Sequence, residues 1–403
     1  MLAFNPLKEN CTGCGACYSV CPKKCISMTA DEEGFLYPSA SDACVQCGLC
    51  ETVCPHLSPL TSHLSPLTSK PSDLNPRMVY AAVSKDKEIW RRSASGGAFS
   101  EICLSWADQD TLIVGAAWDG LKVHHVGIIG TADLGALCKS KYVFSSIEDT
   151  FLQIKSHLKN GKKVIFCGTP CQVDGLRHYI SPLTSHLLLI DLICHGAGSP
   201  TVFRTCMDMM GEKLGSEIQS YQFRAKREVY ETDHISLLTT RQGKHYVTSD
   251  YYIQLFLSQN CLRPSCGKNC KYRNQNRTGD ITLADFKGLL EVFPQMRGTK
   301  TNYSSIIINT PKGGEVIPAL QRTMELIPAT INDIKKYNPL FWRQTWFSED
   351  RDRFFESFRS DPKEAVSKWT KPFITLPNRT LKGKLFDAAP VWIRKAILGL
   401  IGH

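Results

Sequence analysis

The sequence predicts an α+β protein: a small cysteine-rich module followed by a larger body of mixed α/β character. Three observations carry this expectation. Nine of the 18 cysteines lie between Cys11 and Cys54, most of them in two copies of one spacing. A Pro/Ser/Thr-rich stretch follows. Beyond it, short apolar β-branched runs alternate with helix-length segments, as strands and helices sharing a core do.

The two copies read CTGCGACYSVCP from Cys11 and CVQCGLCETVCP from Cys44, each C-x2-C-x2-C-x3-C-P. This run ligates 4Fe–4S clusters in two-cluster ferredoxins, where the fourth cysteine of each run serves the other cluster. The expected ligand sets are therefore Cys11, Cys14, Cys17 and Cys54 for one cluster, and Cys21, Cys44, Cys47 and Cys50 for the other. Gly13, Gly15 and Gly48 suit turns that need unusual backbone angles. Pro22 and Pro55 turn the chain away after the last ligand. A disulfide framework would need an oxidising compartment, and zinc favours two C-x2-C pairs; neither fits triplets followed by Cys-Pro. Cys25, outside both runs, reads as a core or bystander thiol. Residues 1–56 are thus expected to be a ferredoxin-like domain with two 4Fe–4S clusters.

Residues 57–76, LSPLTSHLSPLTSKPSDLNP, read as a linker with a duplicated SPLTS unit; SPLTSHL returns at Ser181–Leu187. Such copies mark surface loops that tolerate insertion. Strands are expected at Val79–Val83, Leu112–Ala117, Val123–Ile129, Val164–Phe166, Leu187–Ile193, Ile281–Leu283 and Ile306–Ile308. Helices are expected at Ala98–Ala107, Ser146–Leu158, Pro200–Leu214 and Tyr251–Ser258. From 311 to 403 the chain reads as a C-terminal helical extension. Its last stretch, PVWIRKAILGLIG, is short, basic and amphipathic, a docking helix or a peripheral membrane contact.

Charge and hydropathy narrow the partners. The net charge of +10 is spread along the chain rather than gathered in a stripe, which argues against nucleic acid. It favours a solvated surface or the steering of an acidic partner. No apolar run reaches the ~18 residues of a membrane span, and MLAFNPLKEN has no signal-peptide core. With so many thiols, a reducing, cytoplasmic setting is expected.

Four loops of the body carry residues of chemical interest. RRSASGGAFSEI, from Arg91, offers amides and hydroxyls ahead of a helix, as a phosphate cradle or as an N-cap with Ser95 as the cap. CKSKYVFSS, from Cys138, puts Lys139 and Lys141 around Ser140, either against an anion or on a surface. KKVIFCGTPCQVDGL, from Lys162, runs from a strand through Gly168-Thr169-Pro170-Cys171 into a helix, where α/β folds place ligands. LLLIDLICHGAGSP, from Leu187, ends a buried strand in Cys194-His195. Further on, NCLRPSCGKNCKYRNQNRTGDITLADFKG adds Cys261, Cys266 and Cys270. Cys171, Cys194, Cys266 and Cys270 would suffice for a third 4Fe–4S cluster, with structural zinc or unrelated free thiols as the alternatives.

Together, S-x-SGG, SKY, GTPCQ-x2-GL, D-x-ICHG-x2-SP and RPSC…R-x-GDITL-x-DF-x-G resemble, in order, the beta-subunit family of coenzyme F-420 hydrogenase/dehydrogenase, with a ferredoxin module fused in front. The resemblance spans about residues 1–310, and its body divides into 77–160 and 161–310. It implies an FAD-containing iron–sulfur oxidoreductase that moves electrons between clusters, flavin and a two-electron acceptor. In the family that acceptor is a deazaflavin coenzyme or, for some members, a chlorophyll-type pigment; fused versions also accompany surface-polysaccharide genes. It implies a redox partner of ferredoxin or flavodoxin type, or a partner subunit. Carried over by motif, Ser95, Gly96, Gly97, Lys139, Ser140 and Lys141 would line the flavin, and Gly168, Thr169 and Pro170 would form the central turn. Cys171, Cys194, Cys266 and Cys270 would hold the inner cluster, and His195 is the candidate proton donor. Two positions depart from the family pattern. Cys266 and Cys270 are spaced C-x3-C instead of C-x2-C, so Cys261 stands as an alternative ligand. Asp285-Phe286-Lys287-Gly288 replaces DFWG, so the acceptor is not inherited. The alternative to an enzyme is a non-catalytic electron-transfer subunit.

Overall fold

A computed structural model describes residues 6–57, 77–182, 185–226, 235–267, 270–296, 302–343 and 349–376. The duplicated SPLTS of the linker and the basic C-terminal stretch lie outside these residues.

In the module, helix α1 (Ala16–Val20) follows the first cysteine triplet. Strands β1 (Ile26–Ala30) and β2 (Leu36–Ala40) pair antiparallel, and helix α2 (Leu49–Thr52) leads to Cys54. Gly13, Gly15 and Gly48 hold φ of 68°, 79° and 75°, the left-handed backbone expected of them.

In the body, β3 (Val79–Ser84) leads to helices α3 (Lys87–Arg92) and α4 (Ala98–Trp106). The hairpin β4 (Leu112–Asp119) and β5 (Lys122–Ile129) follows, then α5 (Thr150–Lys159), β6 (Val164–Gly168), α6 (Pro170–Ile180), β7 (Leu187–Leu192) and α7 (Pro200–Leu214). Strands β8 (Ile218–Gln222), β9 (Ser236–Thr240) and β10 (Gly243–Thr248) precede α8 (Tyr251–Leu257). Then come β11 (Ile281–Asp285), β12 (Ser304–Ile308), β13 (Met324–Ala329) and β14 (Ile374–Thr375). The main sheet has eight strands in the order β13-β3-β12-β11-β7-β6-β4-β5; a second sheet runs β14-β10-β9-β8.

The four central strands β11, β7, β6 and β4 are mutually parallel. Their residues are apolar on both faces, as a parallel sheet covered on both sides requires. Ile113, Ile165, Leu188, Ile190 and Ile306 face α4 and the helix Ile317–Thr323. Leu112, Val114, Val164, Phe166, Leu187 and Leu189 face α5 and α6, and this layer also takes in Ala16 and Val53 of the module. Each fully buried aliphatic side chain contributes roughly 1.5–3 kcal/mol. The module therefore shares a core with the body.

Three differences from the sequence expectation have physical causes. The helix expected from Ser146 begins at Thr150, because His125 N–H donates to the Ser146 carbonyl and holds that segment beside β5. Residues 311–403 are not wholly helical: β13 pairs with β3 and extends the main sheet, its Pro328 tolerated on an edge strand. The small sheet of β8, β9 and β10 adds strands that the apolar runs did not reveal.

The module is also fixed by polar contacts. The Arg351 guanidinium pairs with the Glu33 carboxylate and donates through Nε to the Leu262 carbonyl at 2.7 Å. Ser199 Oγ donates to the Glu33 carbonyl, and Tyr18 Oη to Asp149 at 2.8 Å. Glu33→Ala removes the acceptor of a largely buried guanidinium. It is expected to weaken module docking by about 1.5–3 kcal/mol. In a chain with a protease site placed within 57–76, the cut module should elute apart from the body in the variant and together with it in the wild type.

Candidate redox centre

The site is built at one edge of the main sheet, where the parallel strands end. β6 ends in Gly168 and leads through Thr169 into α6; β7 leads to Cys194; β11 ends in Asp285. Ligand loops gather at such an edge in α/β folds.

On the module side, Cys11, Cys14, Cys17 and Cys54 are among the residues that line a cavity of about 280 Å³. Among the described residues, no group of three or more His, Cys, Asp or Glu side chains is drawn around a single-ion point. Burial pushes the Cys14 thiol up to about 12, and Cys11, Cys54 and Cys171 add to the rise. A buried thiol set becomes thiolate when a metal compensates the charge, so the donor chemistry fits. Cys21, Cys44 and Cys50 gather in one cluster that Cys17 and Cys54 also join, with Cys47 exposed. Cys25 is buried and joins them, its Sγ 3.3 Å from that of Cys21. All 18 cysteines are free.

The inner set assembles from three loops. Cys171 is the second residue of α6, whose start is fixed by Thr169 and Gln172 in a capping box with Pro170 at the first position. Cys194 follows β7. Cys266 closes the short 3-10 turn Pro264–Cys266, and Cys270 N–H donates to the Gly267 carbonyl at 3.0 Å. Burial raises Cys194, and Cys266, Cys171 and Cys270 raise it further. Burial likewise pushes Cys171 up to about 12, with Cys266 and Cys270 contributing. The four thiols therefore sense one another despite the C-x3-C spacing. Cys261 packs beside Cys206 in a core layer that Cys266 borders, and it is not among the thiols that act on Cys171 or Cys194.

Hydrogen-bond donors already face these sulfurs. Ala197 N–H donates to Cys266 Sγ at 3.2 Å, and the Thr169 hydroxyl lies 3.2 Å from Cys171 Sγ. Arg273 lies near Cys194 and Cys266, and its Nη1 has no partner among the described residues. A buried, unspent cation beside four thiols fits an anionic metal–sulfur group.

Cys14 sits against Gly175 of α6. A Cβ on Gly175 would lie 2.8 Å from both Cys14 Cβ and Sγ, so only glycine admits the module there. Cys171 lies one turn earlier on the same helix, about 6 Å along its axis at ~1.5 Å per residue.

The loops expected to line a flavin converge nearby. Gly96 N–H donates to Ser304 Oγ at 2.9 Å, and Ser95 Oγ donates to the Tyr303 carbonyl at 2.9 Å. Gly97, with φ of 97°, occupies the N-cap position, so Ser95 anchors the loop to β12 instead of capping α4. A Cβ on Gly96 would meet the Ala82 carbonyl at 2.1 Å. Lys139 sits at a φ of 68°, a strained backbone for a lysine. Lys141 Nζ donates to the Cys138 carbonyl at 2.7 Å. Lys226 lies over the Trp90 ring at 3.9 Å and donates to the Trp90 and Ser95 carbonyls, each at 2.7 Å. Burial pulls Lys139 and Lys141 down to about 8. Burial, then Lys139 and Arg224, pull Lys226 down to about 7. Three half-buried lysines that hold their protons reluctantly form a site short of negative charge, which suits a pyrophosphate. Asp285, at the end of β11, is taken by Arg224 at 2.6 Å.

His195 is placed at the edge of the inner set, but its ring is engaged. Nε2 is 3.0 Å from the Phe256 carbonyl, the ring packs on Phe256, and the backbone carbonyl accepts from Arg273. Proton donation from Nε2 would require that bond to break. Sequence reasoning missed Lys226, Arg224, Arg263, Arg273 and the role of Gly175. Gly175 was visible in GTPCQ-x2-GL and Arg263 in RPSC; the other three stand in no motif.

Comparison with known proteins matches residues 161–333 to the family model for the C terminus of the beta subunit of coenzyme F420 hydrogenase/dehydrogenase. Residues 161–333 form a domain of that family. Residues 10–57 match the 4Fe-4S dicluster domain. The chain is thus an iron–sulfur electron-transfer protein. The beta-subunit domain holds all four inner cysteines and Lys226, whereas Ser95–Gly97 and Lys139–Lys141 lie before it. A solved structure, the F420-reducing NiFe hydrogenase complex from Methanosarcina barkeri prepared by xenon derivatization, is 15% identical. It covers 76% of this chain and 94% of that chain with a TM-score of 0.44. No curated protein matches the chain.

Proposed function

We propose that this chain is a cytoplasmic FAD-dependent iron–sulfur oxidoreductase that carries electrons from a donor protein to a two-electron acceptor. The donor is of ferredoxin or flavodoxin type, or a partner subunit. The acceptor is a deazaflavin coenzyme, as the family description indicates, or a small molecule such as an intermediate of surface-polysaccharide synthesis. In this reading Cys11, Cys14, Cys17 and Cys54 hold one 4Fe–4S cluster, Cys21, Cys44, Cys47 and Cys50 a second, and Cys171, Cys194, Cys266 and Cys270 a third. Ser95, Gly96, Gly97, Lys139, Ser140, Lys141 and the Gly168–Pro170 turn line the FAD, joined by Lys226. The clusters, when bound, supply single-electron steps and the flavin a two-electron one.

The observation that carries the reading is the packing of Cys14 on Gly175, one helical turn from Cys171. It makes α6 the bridge between module and inner set. The lysines neutralise the flavin's phosphates, and the buried thiols and their donors keep water from the sulfurs. Among the described residues no helix is long and apolar enough to cross a membrane.

Two measurements test the flavin site. Acid extraction of anaerobically purified protein should release about one FAD per chain; no flavin would overturn the reading. A bound pyrophosphate favours charged Lys226, so binding takes up a proton wherever the free site has lost one. The FAD Kd is therefore expected to rise as pH increases through about 7, the Lys226 value, approaching tenfold per pH unit. Lys226→Gln should weaken binding at pH 6.5 and flatten the slope. An equal slope in both proteins would remove Lys226 from the site.

A further inference from the structure

Arg263 belongs to the body, yet it reaches into the module. Its side chain is fully buried. Nε donates to the Cys11 carbonyl at 2.8 Å and Nη2 to the Leu36 carbonyl at 2.9 Å. Nη2 also lies 3.7 Å from Cys11 Sγ. Nη1 has no partner among the described residues and points at Gly13, in the middle of the first cysteine triplet. The rings of Tyr37, Phe35 and Phe144 surround the guanidinium at 4.2, 5.4 and 5.2 Å and shut out water.

Arg263 also belongs to the inner set. Its backbone carbonyl accepts from Cys266 N–H at 2.9 Å, and its N–H donates to the carbonyl of Ala197, whose own N–H bonds Cys266 Sγ. Its positive charge acts on the Cys171 and Cys266 thiols, favouring their ionised forms.

A buried guanidinium is costly unless a negative charge answers it. Arg277 has Asp191 and Arg351 has Glu33. Arg263 has no carboxylate partner among the described residues. The anions within its reach are cysteine thiolates of two different sets.

We propose that Arg263 is a shared counter-ion and positioning residue for two clusters, the one at Cys11, Cys14, Cys17 and Cys54 and the one at Cys171, Cys194, Cys266 and Cys270, raising the reduction potential of both. This rests on the ligand sets given under Proposed function. Each cluster gains one negative charge when it accepts one electron, with no bond made or broken. A cation held beside both stabilises the reduced form of each, as do hydrogen bonds to cluster sulfur. The two steps of the path are thereby kept close in potential. Among the described residues Arg263's sulfur contact in the module is with Cys11 and none is with Cys21, Cys44, Cys47 or Cys50, so the cluster of those four is an internal reference.

The test uses the full-length holoprotein, purified anaerobically, with iron analysis and a potentiometric titration followed by electron paramagnetic resonance. The proteins are the wild type, Arg263→Lys, Arg263→Gln and Arg263→Met. In the Gln and Met variants the reduction equilibrium of two clusters should fall about tenfold, a shift of ~59 mV for one electron, while the third stays at its wild-type value. If those variants lose iron, Arg263→Lys decides. One ammonium cannot face Cys11 and the Cys171–Cys266 pair together, so at least one of the two potentials must fall. Wild-type potentials throughout, with iron retained, would overturn the role of Arg263. So would an equal fall of all three. A wild type carrying only about eight irons would instead overturn the inner ligand set on which the inference rests.

Discussion

Cys171→Ser should lower the rate of electron delivery to the flavin roughly 100-fold, at the upper end of what disturbing a metal site costs, while the module keeps its two clusters. The reason is position. Cys171 is the inner thiol on the helix that Cys14 touches, and Cys14 and Cys171 sense each other's charge. In the proposed ligand set, losing this thiolate would remove one of four ligands and leave the cluster to Cys194, Cys266 and Cys270. Anaerobic rapid mixing with a reduced donor, followed by flavin bleaching, gives the rate. Cys261→Ser is the control: Cys261 is fully buried but packs beside Cys206, so its rate should match the wild type. A Cys171→Ser protein that bleaches its flavin at the wild-type rate would mean that electrons bypass α6.

Asp191→Ala should open the centre of the sheet at a cost of about 3–5 kcal/mol, the penalty for leaving a buried ion-pair partner alone. Asp191 is fully buried on β7. Its carboxylate accepts from Thr278 N–H, Thr278 Oγ1, Gly279 N–H, Thr282 Oγ1 and Arg277 Nη2, at 2.9, 3.0, 3.1, 2.5 and 3.2 Å. These bonds fasten the R-x-GDITL segment to β7 and so set the approach of β11. Without the carboxylate, Arg277 is a bare buried cation and several donors are orphaned. Hydrogen exchange of β7 and β11 amides should accelerate roughly 150- to 5,000-fold. Asp191→Leu combined with Arg277→Met should recover the part of the loss due to the bare cation, because neither charge then remains, but not the part due to the Thr278, Gly279 and Thr282 donors.

These two residues differ in how far the sequence betrays them. Cys171 is legible because GTPC closes a strand and opens a helix, and a cysteine there has few structural reasons to exist. The module was legible for a similar reason: its ligands are close in sequence, so spacing alone encodes geometry. Asp191 showed only as the first residue of D-x-ICHG-x2-SP, with no sign of its role, since its partners come from 86 or more positions away. Distance along the chain also hid Lys226, which reaches Ser95 and Trp90 across 131 and 136 positions. The sheet of β8 to β10 stayed hidden because its strands are half-polar and short. β13 did so because Glu325 and Pro328 disguise an edge strand. Arg263 was visible in RPSC, but its aromatic enclosure comes from Phe35, Tyr37 and Phe144, which no local pattern joins to it.

The central claim is a continuous path from the module through the inner cysteines to a flavin. Native mass spectrometry of the anaerobically purified chain tests it most directly, because every cofactor adds its own mass to one intact ion. A species carrying three 4Fe–4S clusters and one FAD is expected, about twelve irons in all. A fully loaded species with two clusters and no flavin would contradict it.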